Sequence, residues 1–390
     1  MNDELQMDYD VIIVGGGLAG LALAAALRRT SLKLAVVETR LPQRPACWDA
    51  RIYAISPANA RFLDDIGIWQ HLDAGRMTPV RKMSVRGDGS GALEFSAYRS
   101  GVGELAWIAE SSLLQQELWE TVKRQGNVDL LCPASPARLE IGAEAAVLEL
   151  ADRKTLNAKV IVAADGADSW TRTAAGIDVG FLPYEQMGVV ANFAIERPHH
   201  ETAWQWFRHD GILAYLPLPG KLMSIVWSTP TDHAQELLAL PPQEFCARVA
   251  AAGDLQLGRL ELATPPAGFP LRLMRAPQVV APRLALIGDA AHTIHPLSGH
   301  GVNLGFQDAA SLAATLAACP PHADCGELSW LRRHERARRE EVVALQSVTH
   351  GLQRLFCASP APVAALRNLG MNFVDRLPVV KDMLVRYAMG

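Results

Sequence analysis

The sequence predicts an α/β protein in which a Rossmann-like domain is interrupted by a β-rich insertion and followed by C-terminal helices. Three observations carry that reading. A glycine pattern near the N-terminus sits between a strand-like and a helix-like run. Two later apolar strands each end in an acid–glycine pair. Between those two strands the chain changes to short aromatic and β-branched stretches. At 390 residues, 49% hydrophobic and 20% charged, the chain has the length and composition of two or three packed globular domains.

The first element is a short buried strand, Asp10 to Val14, followed by an alanine-rich helix from Leu21 to Arg29. Between them Gly15, Gly17 and Gly20 fall in the spacing GxGxxG. In a strand–turn–helix unit the first glycine permits the tight turn. The second lets a pyrophosphate approach the backbone, and the third lets helix and strand pack closely. A second strand, Leu32 to Val37, ends in Glu38, eighteen residues after Gly20, where a carboxylate can accept hydrogen bonds from ribose hydroxyls. These features predict dinucleotide binding but do not separate NAD from FAD.

The same segment, Val11 to Leu27, is apolar, yet Asp3, Glu4, Asp8 and Asp10 precede it where a signal peptide wants basic residues. Glycines interrupt it, and it falls short of the ~20 residues of a spanning helix. The expectation is a cytoplasmic protein. The six scattered cysteines, with no CxxC pair, suit a reducing compartment. A net charge of −4 gives no reason to expect nucleic acid as a partner.

The next strand, Val160 to Ala164, runs into Asp165-Gly166 within "DGADSWTR". Far downstream "LALIGDAAH" places Gly288 and Asp289 at the tip of another strand, with a helix-like start at Ala290. Such strands would bring their acids to one rim of the sheet, where open α/β sheets bind ligands. The loop beyond, "GDAAHTIHPLSGHGVNLG", holds His292, His295 and His300, so a metal site competes with a cofactor loop. Pro296 disfavours the helix that would align the histidines, and a metal gives the glycines no purpose. The cofactor loop is the stronger reading, with no metal expected. The following stretch, "LGFQDAASLAATLAA", reads as a helix whose N-terminus can stabilise negative charge.

Together the three motifs resemble the flavoprotein aromatic hydroxylases, the single-component FAD monooxygenases. "RIYAISPANARFLDDIGIW", "ESSLLQQELWE" and "GDAAHTIHPLSGHGVNLGFQDA" look more narrowly like the ubiquinone-biosynthesis ring hydroxylases, and the likeness extends to "NLGM" near Asn368. The resemblance implies that Gly15, Gly17, Gly20 and Glu38 hold the ADP half of FAD, with Arg51 among the cofactor residues. Asp165 and Gly166 would serve both FAD and a passing NAD(P)H, and Gly288 and Asp289 the ribityl chain. Pro296, Gly299, Gly301, Val302 and Asn303 would shape a loop against the isoalloxazine. Two departures stand out: His300 replaces a glutamine of the family pattern, and Ser111 and Ser112 stand where many relatives carry an arginine.

On this reading the FAD-binding domain comprises residues 1–78, 106–180 and 272–327. The β-sheet substrate domain comprises 79–105 and 181–271, and the C-terminal helical region 328–390. Within 181–271, Asp210-Gly211 and Pro219-Gly220 punctuate an antiparallel sheet, to which Met83–Val85 adds a strand. Trp204 and Trp206 share a face by the two-residue period and line either a cavity or the core. Tyr215 and His209 are catalytic candidates by position only, because the hard chemistry belongs to the cofactor.

The tail holds "LRRHERARREEVV", read as a solvated helix face, and an apolar stripe of Leu366, Leu369, Phe373 and Leu377. That stripe would pack on the FAD domain, join a partner, or touch a membrane surface from its inner face. The expected activity is NAD(P)H- and O₂-dependent hydroxylation of a polyprenylated phenol or quinol in ubiquinone synthesis. The local wording leans to the 3-methyl-6-methoxy-1,4-benzoquinol step. Three rivals remain: hydroxylation of a soluble aromatic acid clamped by Arg51, Arg81 or Arg275, a non-catalytic FAD-binding component of a quinone-synthesis complex, and a flavin oxidase that consumes O₂ without NAD(P)H. Self-association is left open.

Overall fold

Residues 8–43, 47–294, 299, 301–357, 361–375, 377, 381–383 and 385 are described by the computed structural model. The central strand is Tyr9–Val14, apolar and almost wholly buried, as a strand covered on both faces must be. It pairs in parallel with Leu34–Val37 on one side and Thr155–Ala163 on the other. Val128–Leu131 extends the sheet beyond Leu34–Val37, and Leu284–Leu286 extends it beyond Thr155–Ala163, both in parallel. An antiparallel hairpin, Pro136–Ile141 and Ala146–Leu150, joins the lower half of Thr155–Ala163. Because the central strands are parallel, their carboxyl ends open on one rim.

In chain order the helices that frame the molecule are α1 (Leu18–Ala26), α2 (Pro57–Asp65), α3 (Ser111–Lys123), α4 (Trp170–Ala174), α5 (Thr231–Ala239), α6 (Pro242–Ala252), α7 (Gly301–Ala317), α8 (Leu328–Cys357) and α9 (Ala361–Asp375). Helices α1, α3 and α7 pack together against one face of the parallel sheet, around Leu21, Leu114, Leu118, Phe306 and Leu312. Helix α1 begins one turn earlier than its sequence suggests, at Leu18, because Gly17 already serves as its N-cap.

Among the described residues the insertion supplies most of a second, 9-stranded sheet, built on Phe181–Ile195, Thr202–Arg208, Gly211–Leu218 and Leu222–Pro230. Lys82–Arg86 joins it in parallel beside Thr202–Arg208, and Ala267–Arg275 carries the same sheet through residue 272 to Arg275. Residues 231–252 are not strand but the pair α5 and α6. Their Ala, Leu, Gln and Glu content favours helix, and Pro242 sits in the first turn, where it costs no hydrogen bond.

The two faces of this sheet divide by parity. Trp204, Trp206, Tyr215 and Trp227 point under α5 and α6, so the two tryptophans belong to the core. Ala203, Leu216, Leu218 and Leu222 point the other way. They pack on Ile52, Val80 and Ile108 from a small sheet of Ile52–Ile55, Ala106–Glu110 and Thr78–Val80.

The tail departs from a purely solvated reading. Arg332, Arg333, Arg336 and Arg339 are exposed, but Leu331, His334, Arg338 and Val342, three or four residues apart, form a buried stripe. Among the described residues no helix is long and apolar enough to cross a membrane.

Candidate functional site: the rim of the parallel sheet

Gly15 leaves the central strand with φ +110°, and a Cβ there would collide with the carbonyl of Ala164 on the neighbouring strand. Its amide donates to Val37 O at 2.9 Å, while Ala164 N donates to Val14 O at 2.8 Å, so three strand ends are laced together at the turn. Gly20 backs this turn, because a side chain there would strike the Gly15 carbonyl. Gly17 is different: nothing lies within 4 Å of where its Cβ would be. It caps α1 without a side chain, leaving the first-turn N–H groups facing the rim with the positive end of the helix dipole.

Glu38 closes this corner. One carboxylate oxygen accepts from Gly16 N at 2.6 Å, and the other from Thr39 Oγ1 and Arg40 N, each at 3.0 Å. The acid is thus fixed in orientation beside the glycine turn.

Asp165 and Gly166 follow the strand Thr155–Ala163. The Asp165 carboxylate accepts from the Ser169 hydroxyl and, at 2.9 Å each, from Thr171 N and Oγ1, so it organises the start of α4. Arg172, buried on α4, donates to Ala167 O at 3.0 Å and to Ala290 O at 2.9 Å. This arginine joins the second motif to the third.

After Leu284–Leu286 the chain does not start a helix at Ala290. Gly288–Ala290 is a single tight turn, and His292–Thr293 then pairs with Met274–Arg275 of the second sheet. Gly288 adopts φ +59° with Ala19 of α1 close behind it, and Gly305 of α7 packs on the same alanine. Asp289 is exposed at the tip of this turn. Desolvation nevertheless pushes its carboxyl above the usual range and Asp308 adds to that, while His292 and Arg51 oppose it.

Beneath the turn lies a set of charged groups that sequence reading did not assign. Asp308 of α7 accepts from Gly288 N at 3.0 Å, from His292 Nε2 at 2.7 Å and from Arg338 Nε at 2.8 Å. Burial would raise the Asp308 carboxyl, but His292, Arg338 and His334 outweigh it and hold the group well below the ordinary carboxylate range. The signal was present as the spacing of His334 and Arg338 with the apolar residues of α8.

Of the loop residues, Gly301, Val302 and Asn303 open α7 and Gly299 precedes it, whereas His295, Pro296 and His300 lie outside the described residues. The Asn303 amide is fully engaged. Its oxygen accepts from Ser56 N (2.9 Å) and Asn59 Nδ2 (3.1 Å), and its nitrogen donates to Ala54 O (2.8 Å) and Gly299 O (3.1 Å). Asn303 therefore ties α7 to the segment leading into α2.

Arg51 is exposed beside this segment, close enough to Asp289 and Tyr53 to influence both. Tyr53 has its phenol pushed up by burial and bonds to Ser111, one of the serines that replace an arginine. Glu110 accepts from Asp49 N at 2.6 Å and from both Nε (2.5 Å) and Nη2 (2.6 Å) of Arg76, which delivers a cation to this corner from another part of the chain.

The two catalytic candidates lie elsewhere. Tyr215 donates to Val249 O at 2.6 Å inside the core under α6, and burial raises its phenol. His209 is exposed in a cavity of about 480 Å³ with Gly89, Trp206 and Asp254, away from every rim residue.

The rim offers an open glycine turn, a helix start with no side-chain cap, an oriented acid and a second, exposed acid, and this set fits a flavin dinucleotide. The FAD binding domain family model matches residues 8–344. The ubiquinone hydroxylase UbiL of Rhodospirillum rubrum is 36% identical over 384 residues, 98% of this chain and 89% of that one. The 3-demethoxyubiquinol 3-hydroxylase of Escherichia coli is 32% identical over 390 residues, 98% of each chain. Among solved structures, p-nitrophenol 4-monooxygenase PnpA from Pseudomonas putida superposes with a TM-score of 0.80 over 99% of both chains at 17% identity, a likeness of fold. The chain belongs to the FAD-dependent aromatic hydroxylases, in the family of the ubiquinone-biosynthesis ring hydroxylases.

Proposed function

We propose that the protein uses NAD(P)H and O₂ to hydroxylate the aromatic ring of a polyprenylated phenol or quinol in ubiquinone biosynthesis. The observation that carries this reading is similarity over 98% of the chain to two ubiquinone-pathway hydroxylases. Reduced FAD supplies the oxygen activation. The chain's residues bind and orient it: the first turn of α1 receives the pyrophosphate, Glu38 the adenosine ribose and Asp289 the ribityl hydroxyls. Asp165–Gly166 lies beside the path of the nicotinamide. The step on the 3-methyl-6-methoxy-1,4-benzoquinol is the preferred one, in keeping with the name of the E. coli relative.

A lipid-borne substrate is also favoured by the tail. Helix α9 spends its polar side on the sheet edge: Asn368 accepts from Gly91 N, Asn372 from Ala92 N and Asp375 from Glu94 N, each at 3.0 Å. That orientation turns Leu369 (66% exposed) and Phe373 (63%) outward, with Met383 (63%) nearby in sequence. On this reading the apolar face makes peripheral contact with the membrane that holds the substrate.

The test is a mass-spectrometric profile of quinones and precursors in cells lacking the gene, with and without its restoration. Accumulation of one polyprenylated intermediate that disappears on restoration identifies the carbon attacked. Unchanged ubiquinone with no accumulating intermediate would sink the lipid-substrate reading.

A further inference from the structure

A buried ion pair is a poor way to gain stability, because desolvation offsets most of the attraction. Asp308 (2% exposed) and Arg338 (7%) nevertheless meet at 2.8 Å in the interior between α7 and α8. What the pair does besides is hold the backbone of the motif turn. One Asp308 oxygen accepts from Gly288 N, the amide immediately before Asp289, and from the His292 ring on the far side of the turn. The other oxygen is taken by Arg338.

Arg338 is itself held from two more sides, donating to Gln307 at 3.0 Å and to Glu341. Eight residues on, Gln346 of the same helix donates to Thr293 O at 3.1 Å and Met274 O at 3.0 Å, so α8 also grips the strand that leaves the turn. A helix from outside the parallel-sheet domain thus clamps both ends of Gly288–Thr293.

We propose that Asp308, His292 and Arg338 are positioning residues for Asp289, and that α8 through them is part of what holds FAD. This rests on the assignment of Asp289 to the cofactor. None of the three need touch FAD. They set the direction of Gly288–Asp289, and an acid that must meet ribityl hydroxyls at hydrogen-bond distance loses affinity when its backbone is free to drift.

The test compares FAD affinity with apo-protein stability in the full chain. The double variant D308L/R338M removes both charges together and so leaves no unpaired buried charge, but Gly288 N and His292 lose their acceptor, so the apo protein should unfold moderately below the wild-type temperature while still folding. Its Gly288 amide has lost its acceptor. FAD dissociation constants, read by quenching of flavin fluorescence, should rise by at least about tenfold. Hydrogen exchange at residues 288–293 should quicken in the apo protein. R338K keeps the charge but not the fork that meets Asp308, Gln307 and Glu341 at once, so its loss of FAD affinity should be smaller than that of R338Q, and this pair keeps the comparison available even if the double variant does not fold. Unchanged FAD affinity in R338Q and the double variant, with only the unfolding temperature lowered, would show a purely structural cluster and overturn the proposal. A wild-type chain that takes up no FAD would overturn the cofactor assignment and this inference together.

Discussion

Arg172 Nη1 donates to the carbonyl of Ala290 at 2.9 Å, a bond between residues 118 positions apart that fixes the second motif against the third. Arg172 is 3% exposed, and its guanidinium also holds Ala167 O. Replacing it with methionine keeps most of the packing volume but leaves two carbonyls without their donor. The expected cost is about 2–4 kcal/mol in urea unfolding, with weaker FAD binding as the turn loosens. A loss under about 0.5 kcal/mol would mean that the two motifs hold their places without this bond.

The glycines of the fingerprint should separate cleanly by experiment. Gly15→Ala pushes a methyl into the Ala164 carbonyl at a backbone angle alanine resists, so the apo protein itself should be destabilised by about 2 kcal/mol or more. Gly17→Ala meets open space and should leave apo stability within about 0.5 kcal/mol. Its methyl instead occupies ground assigned to the pyrophosphate, and FAD affinity should fall by about tenfold or more. Thermal unfolding with and without FAD distinguishes the two. Equal effects of both substitutions on the apo protein would contradict the division of labour.

The legible part of this protein is the part encoded locally. Gly15, Gly17, Gly20 and Glu38 lie within one strand–turn–helix–strand unit, so their spacing is enough to place them together. Asp308, His292 and Arg338 were not legible in the same way. An aspartate inside an alanine-rich helix and an arginine in a charged run both look like solvated surface until α8 is laid against α7. The period of Leu331, His334, Arg338 and Val342 contained the hint, but charged residues in that period argue equally for a wet face. In the insertion, strands announced themselves through aromatic and β-branched runs. Which face of the sheet each aromatic occupied depended on α5 and α6, and the strand-rich surroundings concealed those helices.

Tyr215→Phe tests that last point. The ring stays in the core beside Trp206, and only the 2.6 Å bond to Val249 O is lost. The expected cost is about 1–2 kcal/mol in denaturant unfolding, with turnover of the holoenzyme within about twofold of wild type. A collapse of turnover at preserved stability and FAD content would restore the tyrosine to the catalytic machinery.

His334 gives the fold a pH dependence of its own. It is 1% exposed on α8, with Nδ1 3.0 Å from Ser311 Oγ, and burial lowers it from 6.5 to about 4, with Arg338 and His292 acting the same way and Asp308 opposing. A folded value below the unfolded one means that the native state favours the neutral ring. Its stabilising contribution is complete above pH ~6.5 and is lost as the pH falls toward 4, at up to about 1.4 kcal/mol per unit. Asp308, held low by its cations, contributes no comparable change until the pH drops below the ordinary carboxylate range. Urea unfolding between pH 7.5 and 5 should therefore show wild type losing stability faster than His334→Gln. The gap between their profiles should close by roughly 2 kcal/mol at the acid end. Parallel profiles would mean that His334 accepts its proton in place, with the buried cluster rearranging to admit it.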